Sequence, residues 1–224
     1  MDLIQLLYDV SDEVCVCTKC RLAETRTYAV PGEGDPQAQI MFVGEGPGEQ
    51  EDLSGRPFVG KSGQLLTREL ERIGITRDLV FITNIVKCRP PKNRVPLVDE
   101  IEACNDWLMA QIALINPKFI VPVGGPSLQT LVSKDLRIMR SRSKVFRKEG
   151  ILFIPILHPS AALRSPDTMK SFLDDLKNLR AYLDREIEES EITDITPRPV
   201  YTSPSPKVTE TAEVKEEGGT LSLF

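Results

Sequence analysis

One histidine serves the whole chain. His158 follows an apolar, β-branched run, Ile154-Pro-Ile-Leu, and precedes Pro159-Ser160, so the imidazole stands where a strand gives way to a loop. Loops at strand ends are where sites are built, and histidine is the side chain that titrates nearest neutrality. Two other groups of residues have the same chemical character. Gly44-Glu45-Gly46-Pro47-Gly48-Glu49-Gln50-Glu51-Asp52 sets carboxylates in a glycine-rich loop directly after the apolar Ile40-Met-Phe-Val43. The cysteines are Cys15, Cys17, Cys20, Cys88 and Cys104. In a reducing compartment disulfides are disfavoured and metal ligation gains. Cys17-Thr-Lys-Cys20 is a tight chelating pair, Cys88 ends an apolar run, and Cys104 falls in an amphipathic helix. A tight pair with two distant cysteines can close around a tetrahedral zinc or an iron–sulfur cluster, and spacing does not choose between them. Cys15 is the odd one out, because Cys17 has the better spacing to Cys20.

These groups need a scaffold that brings them together. Ile40–Val43, Leu79–Val86, Phe119–Val123 and Ile151–Leu157 read as strands. Helices are expected over 3–20, from Ser62 to about Ile73, from about Val98 to Ile115, and from about Asp167 to Glu189. Strands alternating with helices predict an α/β domain with a mostly parallel central sheet flanked by helices. In such sheets ligands gather at strand carboxyl ends, where Glu45, Asn84 and His158 all lie, so one pocket is geometrically reasonable.

The chain has 224 residues, enough for one comfortable domain, and a formal charge of −5. That charge is not an average, for the segment from Arg185 onward holds nine acidic and four basic residues and so carries all of it. Within the neutral remainder, basic residues cluster at Lys134, Arg137, Arg140, Arg142, Lys144, Arg147 and Lys148, and again at Arg89, Lys92 and Arg94. Two basic groups near the site loops suit a polyanionic partner. No apolar run reaches membrane-spanning length, and the first residues lack the basic segment of a secretory signal, so a cytoplasmic monomer with no membrane partner is expected.

Gly55-Arg-Pro-Phe-Val-Gly60-Lys61-Ser62 satisfies the phosphate-loop pattern GxxxxGK[ST]. A working phosphate loop leaves a buried strand directly, whereas the residues before this one are polar and acidic, so the match is read as accidental. A nucleotide hydrolase is therefore set aside.

Taken in order, GEGPGEQED at 44–52, Gly55-Arg-Pro-Phe58-Val-Gly60, Thr83-Asn84-Ile-Val-Lys87-Cys88-Arg-Pro-Pro and His158-Pro159-Ser160 closely resemble the family 4 uracil-DNA glycosylases, the iron–sulfur branch of their superfamily. The resemblance covers about residues 10–185, and the phosphate-loop look-alike falls inside one of the family's own motifs. It implies a [4Fe-4S] cluster on Cys17, Cys20, Cys88 and Cys104. It also implies uracil flipped from DNA into a pocket of Gly44, Glu45, Gly46, Pro47, Phe58, Asn84 and His158, with hydrolysis of the N-glycosidic bond to leave an abasic site. In that scheme Phe58 restores the stacking lost on flipping, and Asn84 reads the N3–H and O4 edge of the base. His158 donates to O2 as negative charge grows there.

The catalytic carboxylate is expected to be Glu45, with Glu51 second. Leu163 or Arg164 is expected to wedge into the gap left by the base, while Arg140, Arg142 and Lys144 meet phosphates. No lysine is placed as a Schiff-base nucleophile, so hydrolysis without strand cleavage is expected. The alternatives are a relative with altered base preference, such as a hypoxanthine or mismatch glycosylase, and a non-catalytic DNA-binding metal module.

The domain is expected to span 1–190. Residues 191–224, rich in Thr, Pro, Ser, Glu and Lys, are expected to be a disordered tail. Its tip, Leu221-Ser-Leu223-Phe224, resembles the peptide that binds the replication sliding clamp, with Thr220 where that peptide has glutamine. A tether of roughly 30 residues has a reach of about 30 Å, enough to work beside a clamp.

Overall fold

The computed structural model describes residues 2–195. Seven strands form one mixed sheet: β1 (Glu33–Gly34), β2 (Ile40–Gly44), β3 (Phe81–Asn84), β4 (Phe119–Pro122), β5 (Val145–Lys148), β6 (Ile151–Phe153) and β7 (Ile192–Asp194), in the order β1-β3-β2-β4-β6-β5-β7. The four central strands β3, β2, β4 and β6 run parallel, as the alternation of strands and helices predicts. The helices are α1 (Leu3–Val16), α2 (Glu49–Ser54), α3 (Lys61–Arg72), α4 (Val98–Ile115), α5 (Gly125–Leu131), α6 (Ile138–Ser141), α7 (Pro159–Ala162) and α8 (Pro166–Leu183).

The period-2 geometry of β2 divides the core. Phe42 packs with Leu66, Val121, Phe172 and Leu176, while Met41 and Val43 turn to the other face and pack with Leu108, Ile112 and Leu128. Helices therefore cover both faces, as parallel strands require. The chain leaves β2 for β3 on one side and later returns to β4 on the other. The carboxyl ends around β2 are thus a topological switch point, where open α/β sheets bind ligands.

Several bounds differ from the sequence expectation, each for a local reason. The first helix ends at Val16, so both members of the Cys17/Cys20 pair lie beyond it. α3 begins at Lys61 with Gly60 at its N-cap, not Ser62, because the Glu51 carboxylate accepts the Gly60 amide and does the capping work. The second strand is trimmed to Phe81–Asn84 by a 3-10 turn over Arg77–Leu79. The last helix stops at Leu183.

The basic stretch conceals β5, which forms an antiparallel hairpin with β6 through Glu149 and Gly150, both at positive φ (51° and 82°). That is the twist two-residue hairpins favour. β7 pairs with β5 beyond the boundary expected at 190. The remainder of the expected tail, 196–224, with its Leu221, Leu223 and Phe224, lies outside the described residues. Among the described residues no helix is long and apolar enough to cross a membrane.

Candidate active site and cysteine cavity

β3 delivers Asn84 at its carboxyl end. Asn84 is 2% exposed, and its Oδ1 is the buried side-chain atom without a hydrogen-bond partner among the described residues. An orphaned amide oxygen carries its full desolvation cost, so it marks a place where a donor from outside belongs. Beside it, Gly44 ends β2. A Cβ there would stand 2.3 Å from Asn84 Oδ1 and 2.5 Å from Phe58 Cζ, so only glycine leaves the oxygen approachable.

Phe58 is held in a conformation it would not choose. Its φ is +52°, uncommon for a bulky residue. Arg77 donates to the carbonyls of Pro57 and Phe58 and pairs with Glu33 at 2.7 Å. On the far side of the loop, Glu51 Oε1 accepts the amides of Val59 (2.9 Å) and Gly60 (2.7 Å). Its Oε2 accepts the amide of Gly48 at 3.1 Å. Both oxygens of Glu51 are thereby spent on backbone. The amides of Val59 and Gly60 are thus not open to a phosphate in the GxxxxGK[ST] segment, and the segment follows α2, not a strand, as the sequence argument holds.

His158 caps α7. The backbone N–H of Ser160 donates to Nδ1 at 3.2 Å, and the Ser160 hydroxyl lies 2.7 Å from the same nitrogen. A backbone amide can only donate, so Nδ1 is the bare nitrogen and Nε2 carries the proton. Burial, helped by the charge of Arg164, lowers the pKa of His158 to about 4, which keeps the ring neutral. Its ring centroid is 6.1 Å from that of Phe58, at an interplanar angle of 35°. Glu45 is half-buried, and burial raises its carboxyl above the ordinary range. Its carboxylate forms no hydrogen bond among the described residues, in contrast to that of Glu51.

These groups line one cleft of about 480 Å³, within the usual span of small-ligand sites. Glu45, Gly46, Pro47, Phe58, Asn84, His158 and Arg164 are all on its wall. Leu163, beside Arg164, is 51% exposed in the turn closing α7. Of the basic run 134–148, no residue lines the cleft. Arg140 and Lys144 are exposed, whereas Arg142 pairs with the fully buried Asp175 at 2.9 Å and donates to the Ser171 carbonyl. Arg142 is thus committed to tying α8 to the sheet.

The structure adds residues that the motifs alone did not assign. Gly124 (φ +94°) lies against His158, where a Cβ would come 3.1 Å from the His158 Cβ. The Gly124-Gly125 pair ending β4 is the signal that could have found it. Asn93, Arg94, Val95 and Pro96 form a further wall that only tertiary packing brings there.

Cys17, Cys20, Cys88 and Cys104 line a second, small cavity with Trp107, and Cys15 is exposed outside it. Donors surround the sulfurs. Arg26 reaches Cys88 Sγ at 3.1 Å, Trp107 Nε1 reaches Cys17 Sγ at 3.3 Å, and the Lys87 amide reaches Cys104 Sγ at 3.3 Å. Among the described residues no three His, Cys, Asp or Glu side chains already close on a single metal ion. Between the two sites, the fully buried Lys87 donates to Thr83 Oγ1 (2.5 Å), Asn84 O (3.0 Å) and Gln111 Oε1 (2.6 Å). Burial lowers its pKa to about 7. Its ammonium points into these acceptors, away from the role of a nucleophile in the cleft.

The family model described as the uracil DNA glycosylase superfamily matches residues 31–183. The chain is similar to a type-4 uracil-DNA glycosylase of Sulfurisphaera tokodaii, 48% identical over 183 residues that cover 78% of this chain and 83% of that one. It is similar to one of Thermotoga maritima at 44% over 186 residues, covering 81% and 97%. A type-5 uracil-DNA glycosylase of Thermus thermophilus is 34% identical over 119 residues, 46% of this chain and 54% of that one.

Proposed function

The chain belongs to the uracil-DNA glycosylase superfamily, and from that premise we propose that it is a monofunctional DNA-repair hydrolase that flips uracil from DNA and cleaves its N-glycosidic bond. The observation that carries this reading is the orphaned Oδ1 of Asn84 at the floor of the cleft. Held with Oδ1 toward N3–H and Nδ2 toward O4, the amide complements the edge of uracil. Cytosine presents an acceptor and an amine there, so it would leave buried groups unpaired, and sites of this kind discriminate strongly for that reason.

Each remaining residue acts on that bound base. Gly44 leaves room for it, and the Phe58 ring, clamped by Arg77 and Glu51, stacks on it. The Nε2–H of neutral His158 donates to O2 as charge moves from the breaking bond into the ring. A preorganised donor of that sort is worth roughly 10²–10³ in rate. Glu45, desolvated and unpartnered, is the carboxylate available to hold a water and to face the positive charge growing on the sugar. Glu51 belongs to positioning instead. Leu163 supports the wedge reading by its exposure next to Arg164, which lines the cleft, while Arg140 and Lys144 remain available to phosphates.

Cys17, Cys20, Cys88 and Cys104 fit a [4Fe-4S] cluster. They line one cavity and receive N–H···S bonds from Arg26, Lys87 and Trp107, which suits four thiolates carrying a cluster. Bound there, the cluster would serve as a cross-link joining the segment after α1 to the Cys88 turn and α4. The sequence of the tip, Leu221, Leu223 and Phe224, supports a sliding-clamp contact, and a cytoplasmic setting belongs to the same reading.

The decisive experiment is uracil release from an oligonucleotide carrying a single U, with Asn84→Ala and His158→Ala alongside. Release by the wild type and a loss of at least about 100-fold in each variant is the expected result. No release from protein that holds its cluster would refute it.

A further inference from the structure

We propose that residues 89–98 form a second DNA-contacting rim of the cleft, on which Lys92 takes a phosphate of the strand that carries the flipped base and Val95 packs against the neighbouring nucleotide. The inference rests on the glycosylase reading of the cleft and adds a DNA contact to the wedge at Leu163 and Arg164.

The first observation is position. Pro90, Asn93, Arg94, Val95 and Pro96 share the cleft with Asn84 and His158, although they come from the connection after β3, not from the loop after His158. A Cβ on Gly46 would come 3.6 Å from Pro90, so this connection also packs on the glycine-rich loop. DNA that places a base beside Asn84 must pass this rim.

The second is construction. Lys92 and Asn93 are consecutive non-glycine residues at positive φ, 55° and 54°. Such pairs persist only where the surroundings over-determine them, and they concentrate at functional sites. The pinning is visible. Arg89 Nε donates to Asn93 Oδ1 at 2.8 Å, and the Asn93 amide bonds Pro90 O at 3.0 Å. The Arg94 guanidinium grips Glu100 with bonds of 2.8 and 2.6 Å, and that fully buried carboxylate also takes the Leu97 amide at 2.8 Å. A surface connection built this rigidly nevertheless leaves Lys92 exposed and Val95 58% exposed.

The third is charge. Glu45 and Glu51 on the cleft wall repel a phosphate backbone. Arg94 cannot offset them, because Glu100 neutralises it. Arg89 and Lys92 meet no carboxylate among the described residues, so their charge remains available beside the opening. A basic point charge next to an exposed aliphatic side chain is the chemistry that meets a nucleic-acid strand, phosphate first and sugar or base edge second.

The test uses the full chain with its cluster and an oligonucleotide carrying 2′-fluoro-deoxyuridine, whose fluorine holds the glycosidic bond intact. Binding is measured by anisotropy across a salt series, and uracil release from the ordinary substrate is followed in parallel. Lys92→Ala is expected to weaken binding about tenfold and to reduce the slope of log K against log salt by roughly 0.7–0.9, the value of one phosphate contact. Its kcat should stay within twofold, Lys92→Arg should restore the slope, and Lys177→Ala on the exposed face of α8 should leave it unchanged. An unchanged slope and affinity in Lys92→Ala overturns the proposal. If wild type binds with a slope that depends on Lys92 but releases no uracil, the rim stands and the glycosylase reading falls. Equal loss in Lys92→Ala and Lys177→Ala would show a general charge effect and also overturn it.

Discussion

Glutamine at position 51 separates a residue that does chemistry from one that holds the chemistry in place. Glu51 is 8% exposed and accepts three backbone amides, two on Oε1 and one on Oε2. In Glu51→Gln the amide oxygen can keep the Val59 and Gly60 bonds, but without charge assistance, a loss of about 1 kcal/mol each. The new NH2 then faces the Gly48 N–H, donor against donor, which costs about 1–3 kcal/mol. The total, about 3–5 kcal/mol, corresponds to a fall in Tm of roughly 6–20 °C for a domain of this size.

Glu45→Gln should behave in the opposite way. Burial holds the folded pKa of Glu45 above its unfolded value, so ionisation at neutral pH opposes folding, and removing the charge should leave Tm unchanged or slightly higher. Its single-turnover rate of uracil release should instead drop by about 10²-fold or more. Thermal unfolding and single-turnover release of both variants, on protein with its cluster intact, decide the matter. If Glu51→Gln melts within two or so degrees of wild type yet loses about 100-fold in rate, Glu51 is the catalytic carboxylate and the argument from its hydrogen bonds is wrong.

The remaining predictions concern groups that can be observed singly. Because His158 is the only histidine, one set of ¹⁵N imidazole resonances reports it, and they should show the neutral Nε2–H form at pH 7, titrating near pH 4. The folded pKa lies below the unfolded 6.5, so stability should be flat above that pH and fall as pH drops from there toward about 4; an Nδ1–H form at pH 7 would contradict the Ser160 geometry. With the proposed cluster on Cys17, Cys20, Cys88 and Cys104, the protein should be brown, Cys17→Ser should bleach it and Cys15→Ser should not, and equal spectra for the two would remove Cys17 from the ligand set. Deleting Leu221 to Phe224 should preserve uracil release and abolish co-elution with a sliding clamp, and persistent co-elution would refute the tip as the contact.

How far the sequence reaches depends on the range of the forces involved. α4 was legible to the residue, Val98–Ile115, because its end is written locally: Asn116 adopts the left-handed cap (φ 48°) and Pro117 follows. β2 and the switch-point loop after it were legible for the same reason, as was the gathering of Glu45, Asn84 and His158 at strand ends. Those signals rest on periodicity, turn chemistry and topology, which act over a few residues or follow from the α/β pattern. Local signals failed where long-range pairing took over. The charged run around Val145–Lys148 became a strand because β6 and β7 supply its hydrogen bonds. Arg142 looked like a free cation until Asp175, 33 residues on, claimed it.

Most of the residues that line the cleft and the four cysteines that line the second cavity could be named from the sequence itself, because motif order and strand ends place them. Which glutamate is spent on backbone amides, which lysine is buried under Asn84, and which connection walls the cleft were decided only by tertiary structure. Each depends on atoms far apart in the chain meeting at hydrogen-bond distance, and no local preference encodes that meeting.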